Sequence, residues 1–184
     1  MAPTQEVVTY SIYFYLSAGA TFLTFLTGIL FFTKGKFWGR INDIFSIIQV
    51  LIMIPLAIFF FNLSSTGFQL LKGVALILGL AGMLIAAYGQ TLLVFNRIDF
   101  KTSQNYFPAG AGIGVWLILV NSILAGTAEF PLNLIWTGLL AGAGYLAAVI
   151  GFLKGGQENS LFAIGALVLG ISYPVWAIWL AQMI

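Results

Sequence analysis

Few side chains in this sequence could do chemistry, and most of those are neutral. Within its apolar runs stand the amides Gln49, Gln90 and Asn121, the hydroxyls Tyr88, Ser172 and Tyr173, and the indoles Trp116 and Trp176. In hydrocarbon an amide needs a partner, because an unpaired polar group there has no water to fall back on. Two uses follow. Such groups can hold helices together by hydrogen bonds between them. Alternatively, these eight residues line a polar–aromatic pocket among the second, third, fourth and sixth helices, suited to a neutral or lipid-like molecule. Thr21, Thr24 and Thr27 can return their hydroxyls to carbonyls of their own helix, so they are set aside.

The charged groups cluster differently. The stretch KGKFWGRINDIF (34–45) carries Lys34, Lys36 and Arg40, and NRIDFKTSQNYFPAG (96–110) carries Arg97 and Lys101. These five are candidate contacts for a docking partner or for anionic lipid. Lipid-binding clusters usually hold about four to eight basic residues, and the first stretch holds fewer. A topology signal anchored at the interface by Phe37 and Trp38 is therefore the favoured reading. Asn42 or Asp43 is expected to cap the second helix, with Arg40 and Asp43 as a surface pair. The 96–110 stretch is expected to be an interfacial connector anchored by Phe100, Tyr106 and Phe107, and it is the candidate docking surface. Lys72 is expected to reach back along its stem to the interface.

Much chemistry is missing. The sequence has no cysteine and no histidine, which removes disulfides, thiol catalysis, the commonest metal ligand and the commonest general base. No series of carboxylates crosses the apolar runs, and GAGIG (110–114) has neither a preceding strand nor a Lys-Ser/Thr tail to hold phosphate. No cofactor is expected. The basic residues form no stripe suited to nucleic acid. An enzyme acting on lipid would have to use Asp43, Asp99, lysine or tyrosine groups at the interface, so a noncatalytic role is expected.

The elements that carry these residues follow from composition. Of 184 residues, 61% are hydrophobic and 7% charged, far below the quarter or so that solvates a soluble domain. Apolar runs at about 8–33, 41–62, 70–95, 111–128, 132–153 and 160–183 are each long enough to cross about 30 Å of hydrocarbon as helix. The period-two alternation of a β-barrel is missing. The reading is an all-α integral membrane protein, a single six-transmembrane-helix bundle over 1–184, with the first helix retained. Connections 34–40, 96–110 and 154–159 hold six of the seven basic residues, so they are expected to be cytoplasmic and both termini non-cytoplasmic.

Pro55 and Pro174 stand in similar frames, IMIPLAI and ISYPVWAI, which suggests three helical hairpins repeated in parallel. Small residues recur at packing spacing, as in Gly82/Ala86, Gly138/Gly142 and Gly144/Ala148. The fifth helix is small-sided on more than one face and suits either the bundle centre or a partner. Short connections, few ionisable groups and small-residue faces favour a small accessory or scaffold subunit of a membrane complex, with a membrane-protein partner or a second copy of itself. The alternative is a binding or transport protein for a neutral or lipid-like molecule at the pocket above.

Overall fold

Hydrocarbon gives the backbone no hydrogen-bond partner, so a chain this apolar must close its own ladder, and helices do so within one segment. The structure, a computed structural model, describes residues 5–63, 67–127 and 129–184, with the backbone alone for 5–8. Its helices are α1 (Gln5–Lys34), α2 (Lys36–Asn62), α3 (Gln69–Val94), the single turn α4 (Phe100–Ser103), α5 (Gly110–Thr127), α6 (Leu132–Gly155) and α7 (Ser160–Ala181). Among the described residues there is no strand. Six helices, all but α4, are long and apolar enough to cross a membrane. The chain is a multi-pass helical membrane protein.

Each spanning helix packs on the one before and the one after it, and α7 closes on α1, so the six form a ring. Neighbours run antiparallel. Thus Tyr173 meets Ser17 while Gly170 meets Phe25, and Lys72 meets Leu63 while Arg40 meets Val94. Aromatic side chains fill the middle. The Phe60 ring lies 6.0 Å from that of Trp116 and 5.9 Å, stacked, from that of Trp176, and Phe14 meets Trp176 edge-on. Ile77, Leu70 and Trp136 face outward to lipid.

The seams close where side chains are absent. A Cβ on Gly112 would lie 2.5 Å from the Leu78 carbonyl oxygen, and one on Gly82 would lie 2.8 Å from that of Ala109. Added methyls on Gly151 and Gly165 would strike the backbone of Phe162 and of Ala148, so α6 and α7 touch main chain to main chain. α6 belongs to the ring wall between α5 and α7; it does not sit at a centre. Its Gly138, Gly142 and Gly144 are buried, and Ala143 faces out.

Three expectations need correction. Residues 34–40 are not a loop, because α1 runs to Lys34 and α2 starts at Lys36, with Gly35 alone between them at φ 101°. A lone glycine reverses the chain there, since only glycine adopts that backbone without strain. With α2 starting so early, Asn42 and Asp43 lie inside it and cap nothing. Asn42 instead donates to the Thr24 carbonyl at 2.6 Å, pinning α2 to α1. Arg40 does not pair with Asp43; its Nη2 donates to the Val94 carbonyl at 2.8 Å. Third, the 96–110 stretch is largely helical. Asp99 caps α4, and a 3-10 turn over Gln104–Ala109 leads straight into α5. Of its expected anchors, Tyr106 covers Gly89, Phe107 lies tilted against Phe152 at 4.3 Å, and Phe100 is exposed.

The main-chain contact at the α6–α7 seam fixes one expected outcome. Gly151→Ala should lose about 1–3 kcal/mol, because backbone cannot move aside as a side chain would. Gly19→Ala, whose methyl meets nothing within 4 Å, should be neutral or slightly stabilising. Thermal unfolding in detergent of the two variants, side by side, checks this.

Candidate functional site

The polar centre of the ring starts from Asn121 on α5, which is fully buried. Its Nδ2 donates to the Leu117 carbonyl one turn back at 2.8 Å. Its Oδ1 accepts the Trp176 indole N–H from α7 at 2.9 Å. The amide fits because Gly138 on α6 stands against it, where even a methyl group would overlap the Asn121 side chain. Three helices thus meet at one hydrogen bond.

One turn before Trp176, the Tyr173 hydroxyl donates to Ser17 Oγ on α1 at 3.1 Å. Ser17 donates onward to the Phe14 carbonyl at 2.9 Å, and Thr21 donates to the Ser17 carbonyl at 2.8 Å. The Tyr173 and Trp176 rings lie 5.6 Å apart. The result is a closed polar–aromatic cluster spanning α5, α7 and α1, with Phe60 of α2 against its indoles.

Of the eight residues singled out, the fold brings together Trp116, Asn121, Tyr173 and Trp176. It leaves the others apart. Ser172 returns its hydroxyl to the Val168 carbonyl. Tyr88 is 58% exposed on α3 and meets Tyr106 edge-on. Gln49 is buried on α2. Gln90 lies on α3 with its Oε1 buried and without a hydrogen-bond partner among the described residues. Gln49 lies nine residues beyond Arg40 and Gln90 four before Val94, which Arg40 meets, so the two amides stand at different depths. Ser17 and Gly138 were missed, although a glycine facing a buried amide and a hydroxyl on a neighbouring helix are what such an amide and a tyrosine require.

Lys72 reaches back to a helix end and is covered there. It is 3% exposed, and its ammonium donates to the carbonyl of Leu63, the residue that ends α2. The last carbonyls of a helix lack partners and carry partial negative charge, so the end of α2 offers the ammonium a seat. Beside it, among Phe60, Trp116 and Val120, lies a cavity of about 10 Å³, room for about one water. A larger groove of about 340 Å³ opens between α1 and α2, lined by Thr9, Tyr10, Tyr13, Pro55 and Ile58.

The five candidate surface cations, Lys34, Lys36, Arg40, Arg97 and Lys101, are all exposed. Beside them, Asp99 accepts the Thr102 N–H at 2.7 Å. Bonds from the Thr102 side chain and then its backbone N–H hold the Asp99 carboxyl below its ordinary 3.8. Comparison with protein families, curated proteins and solved structures finds no match to this chain.

Two outcomes follow. Asn121→Leu should destabilise the bundle, and its double-mutant cycle with Trp176→Phe should give a coupling of about 1 kcal/mol, in the range of hydrogen bonds between membrane helices. Thermal unfolding of the four proteins measures it. At Asp99 the folded carboxyl titrates below the unfolded one, so the cap is fully present above the unfolded value and is lost as pH falls through the folded one. Asp99→Asn keeps an acceptor without titrating. The melting temperatures of this variant and of the unaltered protein should therefore converge as pH falls below 4, read from paired melts across acid pH.

Proposed function

We propose that this protein is a noncatalytic membrane component, a small accessory or scaffold subunit that holds a membrane partner, or another copy of itself, against the lipid-facing side of its ring. One observation carries the reading. The central polar groups are spent on one another, Trp176 on Asn121 and Tyr173 on Ser17, and their surroundings are packed with aromatic rings. That leaves the outer faces of the helices as the surface for specific contact. On this reading the ends bearing Lys34, Arg97 and Lys154 are cytoplasmic, by the excess of basic residues there. The three successive antiparallel hairpins would be parallel repeats of one unit.

A second reading rests on the groove at Pro55. A space of about 340 Å³ with Tyr10 and Tyr13 on one wall suits a neutral or lipid-like molecule.

Native mass spectrometry on protein extracted with its surrounding lipid separates the two. A stoichiometric protein partner or a defined homo-oligomer is the expected result. A monomer carrying one small molecule, released by Tyr13→Ala, would overturn the subunit reading in favour of the groove.

A further inference from the structure

In the sequence the cations of 34–40 and those of 97–101 stand far apart, and neither group alone reaches the roughly four to eight that an anionic lipid site holds. The fold joins them. Gly35 is the whole connector between α1 and α2, so Lys34 and Lys36 flank a one-residue reversal, with Arg40 one turn further along α2. The tip is tight, because the Phe31 ring lies over Gly39, where a Cβ would come within 2.9 Å of it. Arg40 then reaches across to α3, donating to the Val94 carbonyl at 2.8 Å over a sequence separation of 54. At that point the chain doubles back. Asn96 takes φ 54°, and the Arg97 N–H donates to the Leu92 carbonyl at 2.8 Å. Arg97 therefore starts beside the helix end that Arg40 holds, and Lys101 follows in α4.

Five exposed cations thus share one rim against two carboxylates, which leaves the rim a positive balance. Asp99 caps α4 and stays charged beside Lys101. Asp43 is half-buried on α2, and the nearby Arg40 guanidinium reaches Val94 instead. The rim sits at the ends of spanning helices, the level at which lipid headgroups lie. Among its cations Phe37 is 71% exposed, with Trp38 edge-on beside it at 5.7 Å. An apolar ring so exposed among charges suits an interface with acyl chains beneath it better than a purely aqueous surface.

We infer that the rim formed by Lys34, Lys36, Arg40, Arg97 and Lys101 binds the phosphate headgroup of anionic glycerophospholipids in the surrounding leaflet. The two helix junctions supply cations to the same headgroup region, and Phe37 enters the acyl layer below. This does not depend on the subunit reading and would hold for a monomer.

The test is native mass spectrometry of the detergent-solubilised protein titrated with phosphatidylglycerol or with phosphatidylcholine of the same acyl chains. Working in detergent keeps insertion orientation out of the result. Phosphatidylglycerol should be retained at least about tenfold better, with the preference falling as salt rises. Near a charged surface each basic residue is worth about fivefold in binding, so K34Q/K36Q and R97Q/K101Q should each lose much of the preference. K34R/K36R should keep it. Lys154→Gln, on α6, which packs on α5, α7 and the 3-10 turn over Gln104–Ala109, should change the preference less than either double substitution. Equal retention of the two lipids by the unaltered protein would overturn the inference, whatever the variants do. So would an equal loss for Lys154→Gln, which would mean diffuse attraction to net charge. Preference unaffected by either double substitution would also overturn it.

Discussion

In hydrocarbon a hydrogen bond not made within the protein is hardly made at all, and the bundle is arranged around that constraint. Helical ladders answer it for the main chain. The hydroxyls of Thr21, Thr27, Thr91 and Ser122 answer it locally, each returned to a carbonyl of its own helix. The longer polar groups cannot satisfy themselves so close to home, and they become the joints of the fold. Asn121 accepts from Trp176, Asn42 donates to Thr24, Lys72 to Leu63 and Arg40 to Val94. Each joins two helices, and in the last three cases the acceptor is a main-chain carbonyl. A carbonyl has a second lone pair to offer, so a helix can receive such a bond without losing its own.

Hydrogen bonds of this kind are worth little singly, and lipid supplies no hydrophobic force to press helices together. Close contact must do the rest. Dispersion falls steeply with distance, so a seam gains most where nothing stands between two backbones. The α6–α7 and α3–α5 seams are built this way, with glycine opposite main chain. Where glycine faces a large side chain, as at Gly79 under Trp116 or Gly89 under Tyr106, it makes a recess that fixes the position of the ring. Small and large residues thus serve one end, the removal of gaps between helices.

Much of this was legible in the sequence, for reasons that also mark where legibility stopped. Hydropathy and length located six spanning helices because hydrocarbon thickness sets a minimum that no other architecture meets with these residues. The start of α2 was missed because Lys36, Trp38 and Gly39 look like a loop by composition, while the helix needs only its own ladder to continue through them. That error displaced the roles of Asn42 and Asp43. Rise per residue gives depth, and so places Asn121, Ser172 and Tyr173 toward the middle of their helices. It does not give where a helix stops: α3 ends at Val94, level with Arg40, so Gln49 lies nine residues from that level and Gln90 four. Lys72 is covered because the acceptor it reaches belongs to the end of another helix, a fact that a single segment does not contain. Of the eight candidate pocket residues, the fold brings Trp116, Asn121, Tyr173 and Trp176 into one aromatic cluster.

The closure of the ring by α7 on α1 has a consequence for how the protein is made. Ser17 and Tyr173 lie 156 residues apart in sequence, and α1 has two neighbours only when the last helix has arrived. Until then Ser17 lacks Tyr173, and Trp176 has not yet reached Asn121. The ring therefore stays open between α1 and α6 until α7 is in place, and the buried centre is complete only with the segment carrying Tyr173, Pro174 and Trp176. Any membrane factor that shields α1 during synthesis would act in this interval and be displaced by α7 at its end.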